Sequence, residues 1–179
     1  MKTHIKNRIR NLRKEFAEYG IDSLLVLAEE NRRYLSGFTG QDNGVDESAG
    51  ALVISEKQLV LATDFRFEVQ ARQEADGYEV VCYKKGLPNE LPEILDKTGI
   101  KRLGFESRRM TVQQHEAIAG QIKDNNFSIE LVAVSDLGEN LRICKHENEI
   151  NAIRQSLHLA EAAFVKFLDN IESGITESR

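Results

Sequence analysis

Residues 50–62 have the sequence GALVISEKQLVLA, in which two short apolar runs flank the polar triplet at 55–57. Short continuous apolar runs are typical of strands that are buried on both faces. A three-residue connection is short enough for a hairpin. We therefore expect an antiparallel pair of strands at 50–54 and 58–62.

Helical and strand patterns alternate on both sides of this hairpin. The apolar positions of the first predicted helix recur at steps of three and four: Ile5, Ile9, Leu12, Phe16 and Tyr19. Thr3 can cap this helix and Gly20 can end it. Further helices are predicted from Phe65 to Glu74 after a capping Asp64, from Glu90 to Lys97 with Pro92 in the first turn, and at 112–122 after a capping Thr111.

The remaining strands are predicted at 23–28, 78–83, 102–106 and 127–134. An alternation of helices with strands that includes one hairpin indicates an α/β fold. The expected architecture is a mixed sheet, with parallel and antiparallel strands, flanked by helices.

The last segment has a different pattern. Its apolar positions follow a three-four repeat: Ile150, Ile153, Leu157, Ala160, Phe164, Phe167 and Ile171. This repeat predicts one long helix. A coiled-coil seam is one interpretation, but the phenylalanines and the alanine favour packing against another domain.

Composition excludes several functional classes. The chain has 179 residues, with 24 Lys and Arg against 29 Asp and Glu, a formal net charge of −5. This acidic balance argues against nucleic acid as a partner. No apolar run approaches the ~20 residues that cross a bilayer, so no membrane association is expected. Cys82 and Cys144 lie far apart, which favours a reducing compartment and a cytoplasmic location.

Motifs for catalysis and metal binding are scarce. The sequence has no GxGxxG, GxxxxGK[ST] or GxSxG pattern, and Cys82 is expected to be a buried thiol in mid-strand. His146 with Glu149 and His158 with Glu161 stand three residues apart and can share a helix face. Two such pairs do not form a cage, so we expect no metal site and no catalytic residue in this chain.

Four segments lie in order along nearly the whole chain: NRRYLSGF at 31–38, TDFRFEVQA at 63–71, LRICKHENEINAIRQSLHLAEAAF at 141–164, and GITE at 174–177. Together they resemble the N-terminal domain of the creatinase, prolidase and aminopeptidase P family. The positions that carry the resemblance are Asn31, Tyr34, Gly37, Phe38, Asp64, Arg66, Arg142, Lys145 and Glu149. Phe67 stands where tyrosine is common in the family.

Some of these residues also have a purely structural interpretation. Asn31 can cap a short helix, with Tyr34 and Phe38 in the core. Asp64 and Arg66 can form a helix cap and a local ion pair.

The resemblance implies a division of the chain and a parent enzyme. Residues 1–140 would form the N-terminal-like domain, 141–172 a linker helix, and 173–179 the start of a catalytic "pita-bread" domain that is missing. That domain would hold two divalent metal ions, manganese or cobalt, and no cofactor is expected in residues 1–179. The implied parent is an Xaa-Pro dipeptidase or aminopeptidase that acts on short proline-containing peptides, and the chain is then a shortened or natural fragment of it.

The resemblance also implies a role for the loop that follows YLSGF, residues 39–48, which we call the edge loop. In related dimers this domain offers a loop to the mouth of the partner's active site. The polar residues expected to restrict entry there, or to meet the substrate amine, are Thr39, Gln41, Asp42, Asn43, Asp46 and Glu47.

Two alternatives remain open from the sequence. A self-sufficient dimerisation or binding module would bury the apolar face of the last helix in an oligomer. The N-terminal domain of a creatinase-like amidinohydrolase would share the architecture and differ in substrate.

Overall fold

The computed structural model describes residues 1–44, 47–96, 99–171, 174 and 176. The chain divides into two compact units, Met1–Arg142 and Ile143–Arg179. The helices of the first unit are α1 Thr3–Tyr19, α2 Glu29–Ser36, α3 Glu68–Glu74, α4 Leu87–Asp96, α5 Val112–Asp124 and α6 Leu137–Ile143, which ends at the unit boundary. Its strands are β1 Ser23–Val26, β2 Ala51–Ser55, β3 Leu59–Thr63, β4 Glu79–Cys82, β5 Arg102–Glu106 and β6 Glu130–Val134.

The six strands form one sheet in the order β4-β3-β2-β1-β5-β6. The predicted hairpin is confirmed: β2 and β3 pair antiparallel, with Leu52 opposite Leu61. β2 is also antiparallel to β1, whereas β1 with β5, β5 with β6, and β3 with β4 are parallel. Among the described strands β2 alone is reversed, so the other five all end at one side of the sheet, which we call the carboxyl edge.

Both faces of the sheet are buried, and successive strand residues point to opposite faces. In β1, Leu24 belongs to the core beneath α1, α2, α3 and α6, and Leu25 belongs to the core beneath α4 and α5. The predicted stripe of α1 is buried against the first of these cores at Ile5, Ile9, Leu12 and Phe16. The α/β fold with a mixed sheet and flanking helices is therefore confirmed.

Two predicted helix starts are wrong. Lys2, and not Thr3, is the N-cap of α1, although Gly20 ends that helix with a left-handed φ of 61°. Helix α2 starts at Glu29 with Ala28 as its N-cap, so Asn31 lies inside the helix and does not cap it. Asn31 is free for a tertiary role because its side chain is not used at the helix end.

Two further boundaries differ from the sequence prediction, and one cap is confirmed. The backbone of Arg66 donates to Oδ1 of Asp64 at 2.8 Å, so Asp64 closes the turn before α3 and does not cap the helix itself. Helix α4 starts at Leu87, which places Pro92 in its interior and not in its first turn. Thr111 caps α5 in a reciprocal capping box with Gln114.

The second unit contains one long helix, α7 Glu147–Asp169, as the three-four repeat predicts. None of its described side chains is buried. Ile150 is partly exposed, and seven further large apolar residues are at least half exposed: Ile153, Leu157, Leu159, Phe164, Val165, Phe167 and Leu168. Of the predicted start of a further domain, residues 173, 175 and 177–179 lie outside the described residues.

We predict that Gly50→Ala is strongly destabilising. Gly50 has a φ of 150°, and an added Cβ would lie 2.4 Å from the carbonyl oxygen of Ala62 on β3. The substitution should lower the free energy of unfolding by about 1–3 kcal/mol, measured by urea denaturation. Gly120→Ala in α5, where a Cβ meets nothing within 4 Å, is the control and should be neutral or stabilising. Equal effects of the two substitutions would contradict the prediction.

Candidate functional site at the carboxyl edge of the sheet

Several residues that the sequence predicts to be functional lie at the carboxyl edge, together with an acid that it does not predict. Asp64 follows β3 and Glu106 ends β5, while Gly50, at the end of the segment that carries the edge loop, directly precedes the reversed strand β2. In α/β sheets, sites form outside the carboxyl ends of the strands because loops and side chains of different strands converge there. This edge is therefore the candidate functional site.

Arg32 of α2 holds both ends of the edge loop. Its side chain is fully buried. Nη2 donates to the carbonyl oxygen of Gly40 at 2.9 Å, and Nη1 donates to the carbonyl oxygen of Gly50 at 2.8 Å. Nη2 also lies 2.8 Å from Oδ1 of Asp42. One guanidinium thus joins the start of the loop to the chain just beyond its end.

Asp42 is the anion that balances Arg32. Its side chain is 5% exposed, and Oδ1 also accepts the backbone N–H of Ala49 at 2.7 Å. Burial acts to raise the pKa of Asp42, but the hydrogen bonds from Arg32 and Ala49 outweigh it and hold the pKa below its ordinary value. The sequence hypothesis placed Asp42 among the residues that meet a substrate amine. The structure instead places its carboxylate inside the loop's anchor.

The other edge-loop residues are more accessible. Thr39 is tied to α3, because its N–H and hydroxyl donate to Glu74 at 2.7 and 2.9 Å. Gln41 is exposed. The N–H of Asn43 donates to the carbonyl oxygen of Glu47 at 3.0 Å, which closes the tip of the loop. Asp46, also predicted to face substrate, lies outside the described residues.

Arg66 connects the edge loop to the turn after β3. Nη2 lies 2.8 Å from Oδ2 of Asp64, and Nη1 lies 3.8 Å from Oε2 of Glu47. The hydrogen bond from Arg66 lowers the pKa of Asp64, against a smaller effect of burial. Because the Arg66 side chain is 40% exposed, the pair contributes little to stability and leaves a charged group at the surface.

The remaining family-motif residues at this edge are structural. Gly37 ends α2 with a φ of 84°. Phe38 is buried and meets the ring of Phe67 edge-to-face at 6.3 Å. The hydroxyl of Tyr34 donates to the carbonyl oxygen of Leu141 at 2.9 Å. These contacts position α2 and α6 of the first unit.

Glu106 is a buried acid that sequence analysis missed. Oε2 accepts the backbone N–H groups of Leu27 and Ala28, both at 2.6 Å, and Oε1 accepts Nδ2 of Asn31 at 2.6 Å. Burial raises the pKa of Glu106, the three N–H donors act against that effect, and the negative charge of Glu139 adds to it. The sequence does contain one sign that Glu106 is buried: it ends a predicted strand, directly after apolar residues, where a charged side chain is unusual.

Asn31 links Glu106 to helix α6. Its Nδ2 also donates to Oε1 of Glu139 at 3.0 Å, and its Oδ1 accepts Nη1 of Arg142 at 3.0 Å. An asparagine side chain offers both donors and an acceptor, so it can bridge two carboxylates and a guanidinium. Asn31 and Arg142, two motif positions far apart in sequence, therefore meet in one network.

The second unit carries two motif positions, and both make local contacts. Nζ of Lys145 donates to the carbonyl oxygen of Ile143 at 3.0 Å. Oε2 of Glu149 accepts the N–H of His146 at 3.0 Å at the start of α7. Within the described parts of the chain, no three or more His, Cys, Asp or Glu side chains lie together as a metal site would require.

Cys82 differs from its prediction. It is the last residue of β4 and only half-buried, so the expectation of a buried thiol in mid-strand is wrong. Burial raises the pKa of its thiol, with a further contribution from Glu68. A raised pKa keeps the thiol protonated and weakly nucleophilic.

Two cavities are lined by residues at the carboxyl ends of the strands. The first has a volume of about 270 Å³ and is lined among others by Glu47, Asp64, Arg66 and Tyr83. Burial raises the pKa of Tyr83. The second has a volume of about 190 Å³ and lies beside Glu106. None of the described helices is long and apolar enough to span a membrane.

The chain belongs to the Creatinase/Prolidase N-terminal domain family, which it matches over residues 8–144. It is 34% identical over 170 residues to the Bacillus subtilis protein described as uncharacterized peptidase YqhT, covering 95% of this chain and 45% of that protein. It is 24% identical over 182 residues to a creatinase from a Bacillus species, covering 98% of this chain and 42% of the relative. The resemblance found in the sequence is confirmed.

Solved structures show the same fold. An Xaa-Pro dipeptidase from Bacillus anthracis superposes with a TM-score of 0.85 at 34% identity, covering 97% of this chain and 45% of that one. The N-terminal domain of the cytoplasmic peptidase PepQ from Mycobacterium tuberculosis superposes with a TM-score of 0.65 at 34% identity, covering 75% of this chain and 98% of that domain. The chain thus spans about half the length of the longer relatives.

We predict that Asp42→Asn destabilises the domain. The substitution removes the anion that balances a fully buried guanidinium, and breaking a buried pair from one side costs about 3–5 kcal/mol. Asp64→Asn makes the same chemical change in a pair whose guanidinium is 40% exposed, and should cost at most about 1 kcal/mol. Urea denaturation of both variants measures the difference, and similar losses in the two would refute the buried-anchor interpretation.

A second prediction concerns pH. Because the pKa of Glu106 is raised above its ordinary 4.5, the folded chain binds more protons there than the unfolded chain between 4.5 and the folded-state pKa. The contribution of Glu106 to stability therefore decreases as pH rises through that window. Glu106→Gln should lose about 1–3 kcal/mol by leaving buried donors mismatched. This loss should be largest below pH 4.5 and shrink as pH rises, which unfolding curves at several pH values would measure. A loss of stability in Glu106→Gln that grows with pH would contradict a raised pKa of Glu106 in the folded chain.

Proposed function

We propose that this chain is the non-catalytic N-terminal domain of a metal-dependent Xaa-Pro peptidase. The observation that carries the proposal is the match of 97% of the chain, at 34% identity, to 45% of an Xaa-Pro dipeptidase. In this proposal residues 1–140 are the N-terminal domain, 141–172 the linker helix, and 173–179 the start of the catalytic domain. Two manganese or cobalt ions would be held by that catalytic domain, where bound cations generate hydroxide and polarise the peptide carbonyl.

The proposed role of the domain is control of access to the active site by the edge loop. Support comes from the way the loop is built. Arg32 fixes its base at Gly40 and Gly50, whereas the polar tip at Asn43 and Glu47 carries accessible groups. A loop with a rigid base and a polar tip can restrict entry to short peptides without unfolding the domain.

The proposal includes a cytoplasmic homodimer in which each edge loop serves the partner's active site. The similarity to a peptidase described as cytoplasmic supports the location. The exposed apolar side chains of α7, among them Phe164 and Phe167, are the surface proposed to pack against the catalytic domain.

Activity assays test the peptidase proposal. The whole protein that contains this chain should hydrolyse Ala-Pro and related dipeptides with added manganese or cobalt, and lose activity in EDTA. Residues 1–179 alone should show no hydrolysis under the same conditions. Hydrolysis of creatine in place of Xaa-Pro dipeptides would instead support the amidinohydrolase alternative, since one relative is a creatinase.

The edge-loop proposal predicts a kinetic effect without a stability effect. In the whole protein, the double variant Gln41→Ala and Glu47→Ala should change KM for Ala-Pro several-fold, because both residues lie on the accessible part of the loop. Its melting temperature should stay at the wild-type value. Glu56→Ala, an exposed site in the β2–β3 turn, is the matched control. Unchanged dipeptide kinetics in the double variant would overturn the gating role while leaving the peptidase proposal intact.

A further inference from the structure

The cavity beside Glu106 has the position and lining of a binding site. It lies where the parallel strands β1, β5 and β6 end, between the turn after β1, the turn after β5 and the start of α6. Crevices at the carboxyl ends of parallel strands are where α/β folds bind small ligands. The charged residues of its lining are Glu30, Glu106, Arg108, Arg109, Asp136 and Glu139.

Charges of both signs line this cavity, with an acidic excess. Three glutamates and Asp136 face two arginines, so the net charge of the lining is negative. A simple anion is disfavoured by that balance, and a cationic group is favoured. The two arginines nevertheless supply guanidinium groups, whose parallel N–H donors match the two oxygens of a carboxylate. The lining therefore suits a ligand that carries an ammonium group and a carboxylate together.

The two arginines can accept a further partner. Nη1 of Arg108 contacts Oδ1 of Asp136 at 2.6 Å, and Nη2 of Arg109 contacts Oδ2 of Asp42 at 3.3 Å. A guanidinium group carries five N–H donors, so each of these contacts leaves room for an incoming carboxylate. On the acidic side, Glu106 and Glu139 are held in place by Nδ2 of Asn31, so their orientation is set before a ligand arrives.

We infer that this cavity binds a small zwitterion of the α-amino acid class. The ammonium group lies toward Glu106 and Glu139, and the carboxylate lies toward Arg108 and Arg109. The volume of about 190 Å³ is below the roughly 300 Å³ at which pockets for drug-sized ligands begin, which limits the ligand to about one amino acid. The site lies wholly within Met1–Arg142.

Ligand binding in this cavity is expected to affect the edge loop through one residue, Arg109. Arg109 lines the cavity and also contacts Asp42, the anion of the loop's anchor. A ligand carboxylate on Arg109 shares that guanidinium with Oδ2 of Asp42, so binding perturbs the contact between Arg109 and Asp42. Backbone amides near the anchor, Ala49 among them, should therefore respond to binding although they do not line the cavity.

The test is a titration of ¹⁵N-labelled chain followed by NMR. Glycine, L-alanine and L-proline are the probes, with N-acetylglycine as the analogue without an ammonium group and glycinamide as the analogue without a carboxylate. We expect saturable shifts of Ala28, Arg109 and Leu137 amides with a millimolar dissociation constant for at least one amino acid, and much weaker binding of both analogues. Absence of saturable shifts, or equal binding of either analogue, overturns the assignment.

Variants locate the site. Glu139→Gln keeps an oxygen for Asn31 while removing the charge, and Arg108→Gln breaks only an exposed ion pair, so both should fold. Each should weaken amino acid binding by about tenfold or more. Glu130→Gln, which removes a carboxylate from a surface pair with Arg102, is the matched control and should bind as the wild type does. Wild-type affinity in both cavity variants contradicts the assignment.

Discussion

A fully buried guanidinium, that of Arg32, is the constraint on which the carboxyl edge depends. Burying a charge costs several kcal/mol unless it is paired and its donors are satisfied. Asp42 supplies the opposite charge, and the carbonyl oxygens of Gly40 and Gly50 supply further acceptors for Nη1 and Nη2, whereas the buried Nε has no hydrogen-bond partner among the described residues. The conformation of the loop follows from this requirement, because those acceptors reach one guanidinium only when both ends of the loop come together beside α2.

The sheet provides the place for this arrangement. With β2 reversed between β1 and β3, the chain that leaves α2 enters the sheet at the same edge where β1, β3 and β5 end. The loop anchor, the Asp64–Arg66 pair and the Glu106 network consequently share one edge. Asn31 and Arg32 are adjacent on α2 and have different partners. Asn31 binds Glu106 and Glu139, and Arg32 binds the edge loop.

The sequence predicts the fold well because the governing signals are local. The apolar runs of β1, β2 and β3, the stripe of α1 and the Thr111 cap each depend on a few neighbouring residues. The site is harder to predict because the local sequence does not show which of its charged residues are buried. Asp42 lies in a polar, glycine-containing loop that suggests solvent exposure, and its partner Arg32 is one of two adjacent arginines in NRRYLSGF with no local sign of which is buried. Glu106 and Asn31 are 75 residues apart, so their contact requires the β1–β5 pairing to be known first.

A loop whose two ends are held by a single side chain can tolerate changes in its length. The closure of the loop is supplied by Arg32 at its base, so residues added near Asn43 and Glu47 would bear only the slowly growing entropy of a longer loop. Insertions or deletions at the tip leave the register of β1, β2 and β3 untouched. Proteins with this fold can therefore acquire loops of different reach through changes at the tip, with no repacking of the core.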